Sequence, residues 1–359
     1  MYIKFIIFSI FQLCSSFHLT MKNKMPNTWD NLRYSMKETA RKWFINRAVQ
    51  KGIPWSEIAK KYEHATEELM ECKEKTEDKN MKYPDYYLKP FHGYNEGNML
   101  WRAAYEAESA TLSIAAGYWD KVDPITSQEW MRQNITNNIN YYIKRTYGDS
   151  KNFPERILDI GCSTGISTTY MKSLLKGKSE MYGLDLSPYF IAVADYNTKK
   201  ENQGIVYVHG NAEKMNFQNK TFDLIVSNFL FHELPDDAAN AIIKETYDKL
   251  NSFGVIAIVD IDPAYLDSLL NKNVFRRWAF EVTEPHIYNY YQRNTINMLK
   301  NAGFTNIDKI RNDPLNSIWV GTKPPSKDED VKYKEEMNNK KIEETNKNIT
   351  PMNKYLCLV

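Results

Sequence analysis

The chain has 359 residues, 42% hydrophobic and 26% charged, which suits a folded protein with a sizeable core, as one large domain plus extensions or as two domains. A formal net charge of +2 offers no overall field for nucleic acid, so no nucleic-acid partner is expected. The four cysteines, at 14, 72, 162 and 357, form no CxxC pair, which argues against both a disulfide framework and a cysteine zinc site; no metal is expected.

The chain opens with one lysine and a mostly apolar stretch from Phe5 to Leu13, followed by small residues at 14–16. This is the shape of a signal-peptide core, too short to span a bilayer, so 1–16 is expected to be a cleaved leader with no stable membrane span after its removal. Residues 17–52 carry eight Lys/Arg against Asp30 and Glu38. That bias reads as a transit-like segment and predicts import through the secretory route into a plastid-type organelle, apicoplast- or chloroplast-like, with plain secretion as the alternative.

Residues 53–82 have helical spacing and read as an exposed helical linker. The aromatic stretch 83–119 begins irregularly, with prolines and glycines, and passes into an Ala-rich helix over 99–116; a second helix fits 127–146. Together 83–150 read as a helical lid. From 155 onward the pattern changes to short apolar runs at 156–160, 180–185, 205–209, 222–227 and 255–261, with helical stretches at 165–176, 188–199 and 236–251. Such alternation predicts an α/β domain over 151–323, a doubly wound, seven-stranded sheet covered on both faces. A further helical patch lies at 290–302, and 304–311 with 317–323 suggest a final antiparallel pair. Residues 324–359 are rich in Lys, Glu and Asn and read as a disordered tail.

The turn "ILDIGCSTG" at 157–165 admits several chemistries. Gly161-Cys162-Ser163-Thr164-Gly165 matches the nucleophile elbow of a serine hydrolase, and Asp260 and His286 could complete the order Ser–Asp–His. The residues before 150, however, supply neither the preceding strands nor an oxyanion loop. A dinucleotide fingerprint needs glycines at 161, 163 and 166, where the last two are Ser163 and Ile166.

A third reading fits better. The turn resembles the first motif of class I methyltransferases, which bind S-adenosylmethionine and usually show an acid, an apolar residue and then G-x-G-x-G. Here Asp159, Gly161, Cys162, Ser163 and Gly165 occupy that motif, with Ser163 in place of the middle glycine. The resemblance implies that Asp159 accepts hydrogen bonds near the amino-acid end of the cofactor. Asp185, 20 residues after Gly165 and followed by Leu186, stands where a carboxylate holds the ribose hydroxyls. Asn211 and Ala212 stand in the adenine motif, with the amide in place of the usual acid. Asn228 and Phe229 end a strand facing the methyl group. Near 249–263, Ser252 and Phe253 depart from the family's L-x-P-G-G turn while Gly254 remains. A narrower likeness, carried by 83–98, the first two motifs and "FHELP", is to a little-characterised methyltransferase group of plants and other plastid-bearing lineages.

On the acceptor side, His232 and Glu233 are the expected catalytic pair. Two further clusters bear the same chemistry: His92 with Glu96, and Glu284 with His286 and Tyr290. The fourth motif lacks an N-P-P-Y signature, so the expected acceptor is the oxygen or carbon of a small, partly apolar molecule. A cofactor-binding protein without turnover is the rival reading, since Ser163, Asn211 and Phe253 all depart from the family pattern.

Overall fold

In a computed structural model, the residues described are 26–119, 121–148, 154–175, 179–270 and 283–329, with a few isolated positions beyond 270. The expected signal peptide and nearly all of the expected disordered tail lie outside them. Among the described residues no helix is long and apolar enough to cross a membrane.

Seven strands form one sheet: β1 (Arg156–Ile160), β2 (Glu180–Asp185), β3 (Val206–His209), β4 (Phe222–Asn228), β5 (Leu250–Ile261), β6 (Thr305–Arg311) and β7 (Asn316–Thr322). Their order is β3-β2-β1-β4-β5-β7-β6. Every pairing is parallel except β5 with β7 and β6 with β7. The sheet is thus the expected seven-stranded α/β architecture, closed on one side by an antiparallel pair.

Strand periodicity explains its two cores. Ile157, Met181, Leu224, Val226, Val255 and Ala257 point to one face, against helices at Pro124–Tyr147, Ile166–Leu174 and Pro188–Glu201. Their neighbours Leu158, Leu184, Ile225, Ile256 and Ile258 point to the other, against helices at Asp236–Lys249, Ile287–Gln292 and Thr295–Asn301. Burial on both faces is why the strands read as continuous apolar runs. Helix starts follow local chemistry: Asp123 accepts from the Thr126 N–H at 3.0 Å ahead of Pro124, and Ser187 from the Phe190 N–H at 3.3 Å ahead of Pro188.

The N-terminal part differs from expectation. Residues 53–82 are not an exposed linker. They form two helices, Trp55–Glu63 and Thr66–Thr76, whose Tyr62, Leu69 and Cys72 are buried, with Tyr62 and Leu69 packed beside Phe190 and Val193. A charged helix can be amphipathic without looking so, because Lys and Glu dominate its composition. Within the basic stretch, helix α1 (Pro26–Gln50) buries Ala40, Arg41 and Ala48 in the same body. Helix α2 (Trp101–Ala115) completes this cap at the carboxyl ends of the strands, and the first half of helix α3 (Pro124–Tyr147), which packs on a face of the sheet, borders the cavity between cap and sheet.

Candidate active site

The strand order reverses at β1, which pairs with β2 on one side and β4 on the other, and ligands of open α/β sheets sit at such a switch point. The turn after β1 is built by backbone bonds: the N–H groups of Gly161 and Cys162 both donate to the Leu184 carbonyl, at 2.7 and 3.1 Å. Gly161, Ser163 and Gly165 all have positive φ, at 67°, 51° and 82°. A side chain at Gly165 would collide with the Tyr207 ring, so glycine there answers both to backbone and to space.

Between this edge and the cap lies a cavity of about 470 Å³. Gly161, Cys162 and Ser163 line it, as do Asp185, Leu186, Asn211 and Ala212. So do Asn228, Phe229, His232 and Glu233, whereas Asp159 and Gly165 do not.

The two strand-end aspartates have different surroundings. Asp159 is fully buried; one oxygen accepts from the Ser167 and Thr168 hydroxyls at 2.6 and 2.7 Å, and the other from Asn228 Nδ2 at 3.1 Å. Asp159 does not itself line the cavity; its partners Ser167 and Asn228 do, so it borders the site through them. Asp185 instead accepts backbone N–H groups, Ser163 at 2.9 Å and Ser187 at 2.8 Å, and its carboxylate borders the cavity. Each of its oxygens keeps a second lone pair. Burial, only partly offset by those two N–H bonds, pushes its pKa up to about 6. The Asn211 side-chain oxygen accepts the Glu213 N–H at 2.8 Å and keeps a second lone pair. Its amide NH2 is the group best placed to donate.

Three distant sequence clusters converge at the other end. His232 Nδ1 lies 2.7 Å from Asp260 Oδ1, and the neighbouring Asp260 oxygen accepts the His232 backbone N–H at 3.0 Å. Burial pulls the imidazole pKa down, but Asp260 outweighs it and raises it to about 10. His92 Nε2 stands 3.2 Å from Glu233 and 3.5 Å from Glu284. Burial likewise opposes its charged form, and Glu284 and Glu233 overcome it, raising its pKa to about 9. Glu96 is exposed and His286 packs edge-on against Tyr86, so neither joins the cluster.

Arg132 belongs to none of the sequence motifs. Arg132 lies on the buried face of α3 with Gln128, Met131 and Ile135, and its guanidinium borders the cavity. Only Thr111 receives a bond from it, at 3.1 Å, while its Nε and Nη1 have no partner. An arginine on the apolar stripe of a helix was the available signal. Among the described residues, Asn228 Oδ1 and Glu284 Oε2 are likewise buried without partners at the cavity wall. Buried polar groups normally find partners, so these orphaned atoms mark where a ligand supplies them. An acceptor on Asn228 and a cation on Arg132, whose guanidinium lies 5.6 Å from the centre of the Phe229 ring, suit a zwitterionic amino-acid end. Asp185 and Asn211 suit a nucleoside.

The chain is similar to known methyltransferases. Residues 157–254 match a family model described as a methyltransferase domain. Arsenite methyltransferase of Rattus norvegicus is 26% identical over 180 residues, covering 46% of this chain and 46% of its own. The chain therefore spans about half the length of that relative. Carboxy-S-adenosyl-L-methionine synthase of Campylobacter jejuni is 26% identical over 170 residues, 43% of this chain and 71% of its own. Among solved structures, an S-adenosylmethionine-dependent methyltransferase from Aquifex aeolicus overlaps 54% of this chain and 92% of its own, with 17% identity and a TM-score of 0.40.

Proposed function

We propose that this chain, whose residues 157–254 match a methyltransferase-domain model, is a class I S-adenosylmethionine-dependent methyltransferase that transfers a methyl group to an oxygen or carbon of a small-molecule acceptor. The carrying observation is that one cavity joins the Asp185 carboxylate and the unpartnered Arg132 and Asn228 groups to the His232–Asp260 pair. When bound, S-adenosylmethionine supplies an electrophilic methyl group on a sulfonium.

The protein's part is then alignment, charge and exclusion of water. Asp185 holds the ribose hydroxyls, and the Asn211 amide addresses the adenine edge. Arg132 faces the carboxylate and Asn228 Oδ1 the ammonium of the amino-acid end. Ser163 and Cys162 form the floor of the turn, with Leu186 and Ala212 as apolar walls. Phe229, held at φ 60° where β4 ends, sets the position of transfer. A base is required only when the acceptor must lose a proton. Glu233 takes that proton. His232, kept as an imidazolium by Asp260, stabilises the negative charge that develops on the acceptor.

Asp185 provides the test. Losing one charge-assisted hydrogen bond costs roughly 1.5–3 kcal/mol. Asp185→Ala removes two, so affinity for S-adenosylmethionine falls about 100-fold or more at ~1.4 kcal/mol per tenfold. Ser163→Gly retains the backbone N–H that meets Asp185 and binds as well as the parent. Calorimetric titration of all three proteins decides it. A serine hydrolase would give the opposite pattern, with Ser163→Gly inactive and Asp185→Ala silent.

A further inference from the structure

The cavity extends beyond what a cofactor at the sheet edge uses. Ala103, Ala107, Ala110 and Ile114, spaced by four, three and four residues on α2, share one face and line it. Across from them stand Trp43 and Phe44 of α1, and Trp55 meets the Phe44 ring edge-on at 5.8 Å. This apolar arm is continuous with the transfer position, because Thr111 on the same helix accepts from Arg132, whose guanidinium stacks on Phe229. Its other border is the polar cluster: a side chain on Gly93, next to His92, would touch the stem of Arg41 on α1 at 3.3 Å.

Within that cluster Glu284 is 6% exposed, and its Oε2 has no partner. A buried carboxylate oxygen without a donor is costly, and a ligand bearing an N–H or O–H group removes that cost. The alanine face beside it keeps space open where larger side chains would fill the gap between α1 and α2.

We propose that the methyl acceptor is amphipathic, with a hydrogen-bond-donating head on Glu284 and an apolar body beneath α1, whose size is limited by Ala107 and Ala110. This rests on the methyltransferase reading of the cavity and adds the class of acceptor. The head would lie between Glu284 and Glu233, and the apolar body would displace water from the walls of Trp43, Phe44 and Trp55.

The test uses the full chain saturated with S-adenosylhomocysteine and a series of 4-alkylphenols, from ethyl to octyl, titrated by calorimetry. In the parent, affinity rises about threefold to fourfold per methylene until the arm is full, the value of burying ~0.8 kcal/mol per CH2. Ala107→Trp abolishes the rise beyond the shortest tails. Ala110→Val shortens the usable tail with less disturbance and is the arbiter if Ala107→Trp loses S-adenosylhomocysteine binding. Glu284→Gln weakens every phenol by about tenfold and leaves the dependence on tail length intact. Equal affinity for ethyl- and octylphenol in the parent, or an unchanged dependence in Ala110→Val, overturns the proposal. Failure of the parent to bind S-adenosylhomocysteine would instead overturn the methyltransferase reading itself.

Discussion

The two walls of the cavity are built in different ways. The sheet edge is held mainly by backbone hydrogen bonds between strands and turns, such as Gly161 and Cys162 to the Leu184 carbonyl, to which the Asp185 carboxylate adds its bonds to the Ser163 and Ser187 N–H groups. The cap is held by side chains far apart in sequence. Arg41 on α1 pairs with Glu106 on α2, and Tyr94 and Arg102 converge on the same carboxylate. His209, at the end of β3, accepts the Asp78 N–H on Nδ1 at 2.9 Å, so its Nε2–H faces the Leu186 carbonyl at 3.1 Å. The Ser187 hydroxyl donates to the Asn98 carbonyl at 2.7 Å. A wall made of backbone bonds survives loss of a side chain. A wall made of a few ion pairs opens when one is removed.

The largest expected effect tests that difference directly. Arg41→Ala leaves Glu106 buried with only Tyr94 and the more exposed Arg102 to meet it. Breaking a buried pair costs ~3–5 kcal/mol, and the remaining partners reduce this to about 2–4 kcal/mol. Hydrogen exchange should then accelerate in α1 and the first turns of α2 while β1 and β4 keep their protection. Equal loss of protection in cap and sheet would show that the two walls are one cooperative unit. The same pair bears on targeting, because a leader removed as far as residue 52 would take Arg41 with it. If the basic segment directs import, processing upstream of Pro26 leaves α1 whole.

A smaller effect comes from His232, where cap and sheet meet. Its pKa is raised from 6.5 to about 10, so the folded state holds its proton more tightly than the unfolded chain does. The stability this contributes is fully present below pH 6.5, declines above it, and is lost as pH rises through 10. Thermal melts of the parent and of His232→Gln between pH 6 and 10.5 should therefore converge at the alkaline end. A constant difference across the range would mean that the Asp260 pair is not what sets the charge.

Much of the sheet wall was legible in the sequence, because its signals are local. Apolar runs, a glycine turn and an acid at the next strand end each occupy a few consecutive residues. For Asp159 a motif reports position only; the Ser167 and Thr168 hydroxyls that engage its carboxylate are not announced by it. The cap was largely illegible. Arg41 was counted as one more basic residue in a transit-like stretch, yet its partner is 65 positions away. Nothing between them in the chain announces the pair. Likewise His92, Glu233 and Glu284 were read as separate candidates, and only the fold brings them within hydrogen-bonding range.

The finest comparison lies between the two ends of the sheet, at two positions where the methyltransferase motifs have glycine and this chain does not: Ser163 follows the carboxyl end of β1 and Phe253 lies near the amino end of β5. Ser163 has φ 51° and Phe253 has φ 62°, both in the left-handed region where a side chain costs about 1 kcal/mol. Both backbones are pinned. The Ser163 N–H donates to Asp185, and the Phe253 N–H donates to the Lys323 carbonyl at 2.9 Å. Glycine would keep either bond, so backbone strain alone predicts equal gains. The side chains differ. Phe253 meets the Tyr147 ring edge-on at 6.1 Å, a contact worth ~0.5–1.5 kcal/mol beyond the apolar area it covers. Phe253→Gly should therefore be destabilising overall despite relieving φ. Ser163→Gly has no such contact to lose and should stabilise by about 1 kcal/mol, a rise in Tm of about 2–4 °C. Melting curves of the two variants should move in opposite directions. A Ser163→Gly variant that melts lower would mean that its hydroxyl, and not only its backbone, holds the turn.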